Sequence, residues 1–282
     1  MRLKQKITSL LLALSLVAGL VPGLTVTAQA AGTDKTIMAG VSGISGPETK
    51  NDSNGNYYTP SDYIWYGAYE QNDDGTAEPI QWRVLSLSGN SGTYKDSNNS
   101  DYSGAALFLL SEYLLESGVY FQQNYHFYSN TYHKGGAPTG GDHTECQNAN
   151  AWQGSAAQAW AKNFAGESGR SVTNAFSNGE QAALLATTKE DASTIKYSLS
   201  WDTSGLKGDK VFFLSVDELS QYVGSYNCAP GLKATPASDE TAGVWRRRSR
   251  SLDFSFHAGV VAGNGIVGHD LVHTWPGSAP RF

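Results

Sequence analysis

Three groups of residues in this 282-residue chain carry side chains capable of chemistry. His126, His133, His143 and Cys146 fall in one stretch rich in Gly, Tyr and Asn, and all four are zinc-ligand types. Their spacing fits no compact metal motif, and surface histidines explain them, so no metal is expected. Arg246-Arg247-Arg248-Ser249-Arg250 is the densest positive run. Guanidinium forks match carboxylates and phosphates bidentately, so one reading is an anion clamp. The preferred reading is a strand with alternating side chains, one face salt-bridged and the other solvated. Cys146 and Cys228 are the only cysteines. A disulfide closing that long loop, worth about 4 kcal/mol in the chain-entropy model, and two inert thiols both remain open. No nucleophile with a base, no carboxylate pair and no metal set stands at readable spacing, so neither catalysis nor a cofactor is expected.

The ends of the chain restrict where it acts. Arg2, Lys4 and Lys6 precede an apolar run from Leu10 to Val21, and Pro22-Gly23 leads into Ala28-Gln29-Ala30-Ala31. This is the three-part layout of a secretory signal peptide over residues 1–30, with cleavage expected near Ala30. An apolar run of about a dozen residues falls short of the roughly 20 needed to cross a bilayer. The expectation is a secreted, extracellular protein without a membrane span. The leader holds three of the 20 Lys and Arg and none of the 26 Asp and Glu, so the remainder is more acidic than the whole chain. Such a surface repels phosphate backbones, and no nucleic-acid partner is expected.

The elements that must position these residues follow from periodicity. Residues 31–60 are rich in Gly, Ser, Asn, Asp and Thr and read as a flexible linker. One domain is expected over 61–282. Residues 63–69 and 79–85 read as strands joined by Asn72-Asp73-Asp74-Gly75, and residues 105–110 as a buried strand. Trp152, Ala156, Ala159, Trp160 and Phe164 recur at helical spacing. A second helix is expected from Ser177 or Asn178 to Ala186. A capping box, Ser215-Val216-Asp217-Glu218, opens a third directly after an apolar strand at 210–214. Gly263-Asn264-Gly265 splits 260–267 into a hairpin. Strands, then helices, then strands, with no βαβ alternation, indicate an α+β domain of mixed short strands and two to three helices. Trp65, Trp82, Trp152 and Trp160 fall in those elements and are expected in the core.

Several segments together resemble an uncharacterised domain family of secreted Gram-positive bacterial proteins. They are Ile64-Trp65-Tyr66-Gly67, the Pro79 to Leu85 stretch, Leu109-Leu110-Ser111-Glu112-Tyr113, Trp152 with Trp160 and Phe164, Phe176-Ser177 with Glu180, and Asp209 to Ser215. That family carries a Trp-Trp-Leu-Arg-Ser-Pro-like strand, seen here altered as Trp245-Arg246-Arg247-Arg248-Ser249-Arg250, and a final Gly-Val-Arg-Pro-Ala. This chain departs from that ending, reading Pro276-Gly277-Ser278-Ala279-Pro280-Arg281-Phe282. The ending is similar to that of C-type-lectin-like domains, including those related to formylglycine-generating enzymes, and the resemblance implies that fold. A formylglycine-type oxidase would use a cysteine pair as copper ligands. Cys228 precedes Ala229-Pro230, far from the C-terminal strands, so that chemistry is not expected. Calcium-dependent sugar binding lacks its Glu-Pro-Asn or Trp-Asn-Asp triplet, for which Trp201-Asp202 is a weak echo.

Some such domains resemble targets of diversity-generating retroelements, whose adenine-directed mutagenesis leaves NNY codons that encode no Lys, Glu, Gln, Met or Trp. None of these five types occurs from Ser251 to Thr274, which the resemblance makes a variable region over 251–274. It implies a replaceable contact set of Leu252, Asp253, Phe254, Ser255, Phe256, His257, Val260, Ala262, Asn264, Ile266, His269, Asp270, Leu271 and His273. Phe254, Phe256 and His257 would be anchors, and Asp253, Asn264, His269 and Asp270 polar contacts. The functional expectation is non-catalytic binding of an unknown protein or glycan at the cell exterior. The alternatives are an extracellular enzyme acting on glycan or cell-wall material and a structural envelope domain.

Overall fold

The computed structural model describes residues 47–52, 55–59, 62–71, 76–116, 119, 121–122, 125–128, 131–134, 150–167, 175–196, 198–202, 205–224, 245–253, 257–262 and 266–271. The leader, both cysteines, the turn at 72–75 and the histidine- and cysteine-bearing stretch at 143–146 lie outside these residues. The fold is α+β, with three helices and short antiparallel strands. The segment read as a linker contains a hairpin, β1 (Glu48–Asp52) against β2 (Gly55–Thr59). Tyr57-Tyr58-Thr59 supplies the β-forming types there.

The first expected strand pair is present as β3 (Tyr63–Glu70) and β4 (Ala77–Ser86). Two short strands follow, β5 (Thr93–Lys95) and β6 (Asp101–Tyr102), and then β7 (Phe108–Ser111), which completes a sheet ordered β3-β4-β7. A second hairpin joins β8 (Tyr125–Tyr128) to β9 (Thr131–Lys134). Helix α1 (Ala156–Phe164) begins four residues after Trp152, because Gly154 sits at φ +81 and Ser155 caps the helix by accepting from the Gln158 amide. It buries Ala157, Trp160, Ala161 and Phe164, an i, i+3, i+4, i+7 stripe that packs with Ile64, Ile80 and Trp82 of the first sheet. Helix α2 (Asn178–Ala183) is capped by Ser177 with Glu180 in a reciprocal box and stops short of the expected Ala186, because Leu184 is already extended.

Strands β10 (Ala186–Lys189) and β13 (Leu206–Asp209) join β5 and β6 in the order β13-β10-β5-β6. The apolar run at 210–214 is not a strand. It passes between two core clusters, Val211 and Phe213 packing into one and Leu214 into the other. Burial on both sides, without any ladder, accounts for its continuous hydrophobicity. It leads into α3 (Val216–Tyr222), where the capping box of Ser215 and Glu218 is complete. The last sheet is five-stranded, ordered β11 (Thr194–Lys196), β12 (Leu199–Asp202), β14 (Trp245–Ser251), β15 (His257–Val261) and β16 (Val267–Leu271). The expected hairpin is β15–β16, in register from His257↔Leu271 to Val261↔Val267. Trp82, Trp152 and Trp160 are buried as expected, and Trp65 is half-buried.

Candidate functional site

The arginine run forms β14, the central strand of the C-terminal sheet. Its expected solvated face does not exist: Arg246, Arg247 and Arg248 are 1%, 0% and 0% exposed. A buried guanidinium persists only when charge and hydrogen bonds replace its lost hydration, and each of the three finds different compensation. Arg248 Nη2 stands 2.5 Å from Asp191, Nη1 donates to the Phe213 carbonyl at 2.7 Å, and Nη1 also pairs with Glu218. Burial alone would lower its pKa, but Glu218 and Asp191 carry it above the ordinary value. Lys189 Nζ joins the cluster at 3.4 Å from Asp191 and 3.2 Å from Glu218. Burial would raise the Glu218 carboxyl, but Arg248, then Lys189 and the Ser215 amide, hold it down at about 2. Two cations and two carboxylates therefore fasten β14 to α3. Arg246 is brought down to about 10 by burial, opposed by Asp270.

Arg247 supports the other part of the site. Its guanidinium lies 4.7 Å from the Trp201 ring centroid and donates from Nη2 to the Gly268 carbonyl at 2.9 Å. It occupies the space over Gly259, where a Cβ would stand 2.8 Å from Nη2. Gly259 pairs with His269 across the ladder, and His257 lies two residues earlier on β15, so His257 and His269 share one face. Their Nδ1 atoms are 2.5 Å apart, with ring centroids at 4.7 Å. Such a contact requires one ring to donate and the other to accept. Trp201 meets His269 edge-on at 6.2 Å. Burial lowers the His269 pKa, against the opposing charges of Asp253 and Asp270 and with the help of Arg247.

The expected contact residues separate into distinct places. Leu252 (54% exposed) and Asp253 follow β14 at one end of the sheet, where β12 begins and β15 starts at His257. The Leu252 amide donates to the Ser200 carbonyl, and the Ser200 amide donates to Asp253 Oδ2 at 3.3 Å. Ser200 pairs with Ile195, which is 79% exposed. This sheet end therefore carries Ile195, Ser200, Leu252, Asp253, His257 and the backbone of Leu271; Ile195 and Ser200 face opposite to Trp201 and hence to His257 and to His269, two residues before Leu271 on β16. Val260 is buried and serves packing instead, because β15 is an inner strand covered on both faces. Val260 and Asp270 face opposite to the histidines by register, and Ala262 and Ile266 lie at the other end of the hairpin. Phe254, Ser255, Phe256, Asn264 and His273 lie outside the described residues. Sequence reading missed Trp201 and Arg247 as supports of the histidine pair. A usable signal was present: three arginines beside an apolar Trp245, with no acidic residue within four positions of them, require distant partners.

A cavity of about 210 Å³ lies elsewhere, lined mainly by Tyr66, Trp82, Phe108, Phe176 and Phe212. The hydroxyls of its tyrosines are committed internally: Tyr66 donates to the Glu180 carbonyl, Tyr94 bonds Asn90, and Tyr102 donates to the Ala105 carbonyl. Among the described residues, no group of three or more His, Cys, Asp or Glu gathers as a metal cluster. No helix there is long and apolar enough to cross a membrane. Comparison of the chain with protein-family models, with curated proteins and with solved structures finds no match to any of them.

Proposed function

We propose that this chain is an exported, C-type-lectin-like domain that binds a protein or glycan ligand outside the cell without changing it. The contact surface is the end of the five-stranded sheet centred on Ile195, Leu252 and Asp253, with His257 and His269 on the sheet face opposite Ile195. The observation that carries this reading is the distribution of exposed apolar side chains. Of the four large hydrophobics exposed among the described residues, Leu87, Ile195, Leu252 and Ile266, two meet at this end through Ser200. Clustered apolar exposure beside convergent polar groups marks an interaction surface, whereas scattered single residues do not.

The scaffold beneath suits recognition. Buried Arg248 and Arg247 fix β14 from two directions, so replacing exposed residues at the strand end leaves the packing intact. A variable region over 251–274 fits that division in part, since Leu252 and Asp253 are exposed while Val260 is not. The test is a glycan and peptide array probed with the full chain, followed by mass analysis of any captured compound. Recovery of the compound unchanged supports binding without turnover. Recovery of a cleaved or modified product overturns that reading in favour of an extracellular glycan- or cell-wall-acting enzyme.

A further inference from the structure

We infer that the cavity between the first sheet, α2 and the 210–214 segment binds an uncharged aromatic molecule of one or two rings. This site is separate from the sheet end proposed above and stands on different residues. Tyr66, Trp82 and Phe108 of the first sheet line it together with Phe212 of the 210–214 segment. Among the described residues, six partly buried hydrophobics pack against the larger core cluster, and five of them, Tyr66, Leu107, Leu109, Leu184 and Phe212, line this cavity. The apolar surface that the core leaves uncovered is thus gathered in one concavity, which is the form of a small-molecule site.

The polar groups of the lining are engaged within the chain. Trp82 Nε1 donates to the Tyr66 carbonyl at 2.8 Å, and Asn90 bonds both Tyr94 and Glu218 at 2.9 Å. Asp96 Oδ1 accepts from the Asn98 and Ser100 amides at 2.9 Å. Burial raises the Glu167 carboxyl and the charge of Lys210 opposes that rise, so Lys210 already answers an anion of the chain. Asp96 and Lys210 are the two charged residues of the lining and cancel. A charged ligand would lose hydration there without a surplus counter-charge, whereas an apolar one gains by leaving water.

Size and ring geometry narrow the class further. The volume of about 210 Å³ exceeds the roughly 150 Å³ that takes benzene, which leaves room for a second fused ring. Seven lining residues are aromatic. Trp82 and Phe176 stack with centroids 6.4 Å apart, and Phe108 and Phe212 at 6.2 Å. Offset-stacked and edge-to-face contacts with such rings favour a flat aromatic guest over an alkyl chain.

The experiment is isothermal titration of the full chain at neutral pH with 2-naphthol, beside 2-naphthoate as the charged probe and 1-octanol as the alkyl probe. The expected result is one 2-naphthol per chain, with each of the other two bound about fivefold or more weakly. Ala182→Phe and Ala183→Phe each add a ring from α2, a helix with no buried residue, and should weaken 2-naphthol about tenfold or more. Circular dichroism spectra matching the parent chain confirm that the variants are folded. Absence of 2-naphthol binding by the parent chain overturns the inference, as does unchanged affinity in both α2 variants. Binding of 2-naphthoate or 1-octanol as tight as that of 2-naphthol overturns it as well. Leu252→Ala/Asp253→Ala should leave 2-naphthol affinity within about twofold of the parent, so the result is read independently of the sheet end, which the array tests.

Discussion

Glu218→Gln is the most informative single change in the core. The substitution keeps the shape, and a glutamine at this position can still accept the Ser215 amide, so the α3 cap survives. What is removed is the charge opposite Arg248 and Lys189, and the new amide group also meets the donating side chains of Asn90 and Lys189. The carboxyl moves from an ordinary 4.5 to about 2 in the folded chain, which converts to about 3 kcal/mol of stability at neutral pH. Breaking a buried pair by removing one partner costs a similar amount, about 3–5 kcal/mol.

The sign of the pH dependence follows from the depressed pKa. The contribution is complete above 4.5 and is lost as pH falls through about 2. Urea unfolding followed by fluorescence of buried Trp201 and Trp245 measures both quantities. The variant should be about 3 kcal/mol less stable at pH 7, and the gap from the parent should close between pH 4.5 and pH 2. A cost under about 1 kcal/mol at pH 7, or a gap of constant size down to pH 2, would refute the assignment of Glu218 as the charged hub.

Further consequences can be checked on the same chain. Arg248→Met should cost about 3–5 kcal/mol alone, and the pair Glu218→Gln/Arg248→Met clearly less than the sum of the singles in urea unfolding, since Lys189 and Asp191 still neutralise each other. Gly259→Ala places a methyl 2.8 Å from Arg247 Nη2 and should destabilise by about 1–3 kcal/mol in the same assay. The His269 imidazole should titrate below 6.5 by proton NMR. Its contribution to stability is present above 6.5 and lost as pH falls below it, so a midpoint at or above 6.5 would contradict the burial described for that ring.

Local signals were legible where one element decided the outcome. The Ser215 capping box, the Ser177 cap and the β15–β16 hairpin depend on neighbours in sequence, and the structure contains all three, whereas α1 buries Ala157 and Ala161 in place of the expected Ala156 and Ala159. The arginine run was misread because alternation predicts a solvated face only for a strand with one covered side, and β14 is enclosed between two strands and α3. Glu218 was legible as a cap but not as the partner of Arg248, thirty residues away. Residues 210–214 show the same limit, since continuous apolar sequence does not distinguish a ladder from a segment buried between two clusters. The contact set was only partly legible. Period-two alternation divides 257–261 and 267–271 between two faces, and a composition signal over 251–274 carries no information about which face is exposed.

The central claim, that the end of the C-terminal sheet is the ligand surface, is tested most directly by titrating an array-identified ligand into three chains. These are the parent, Leu252→Ala/Asp253→Ala at the sheet end, and Ile266→Ala at the far end of the hairpin. The first variant should bind about tenfold or more weakly, and the second within about twofold of the parent. Equal affinity for the parent and Leu252→Ala/Asp253→Ala, or a larger loss in Ile266→Ala, would contradict it.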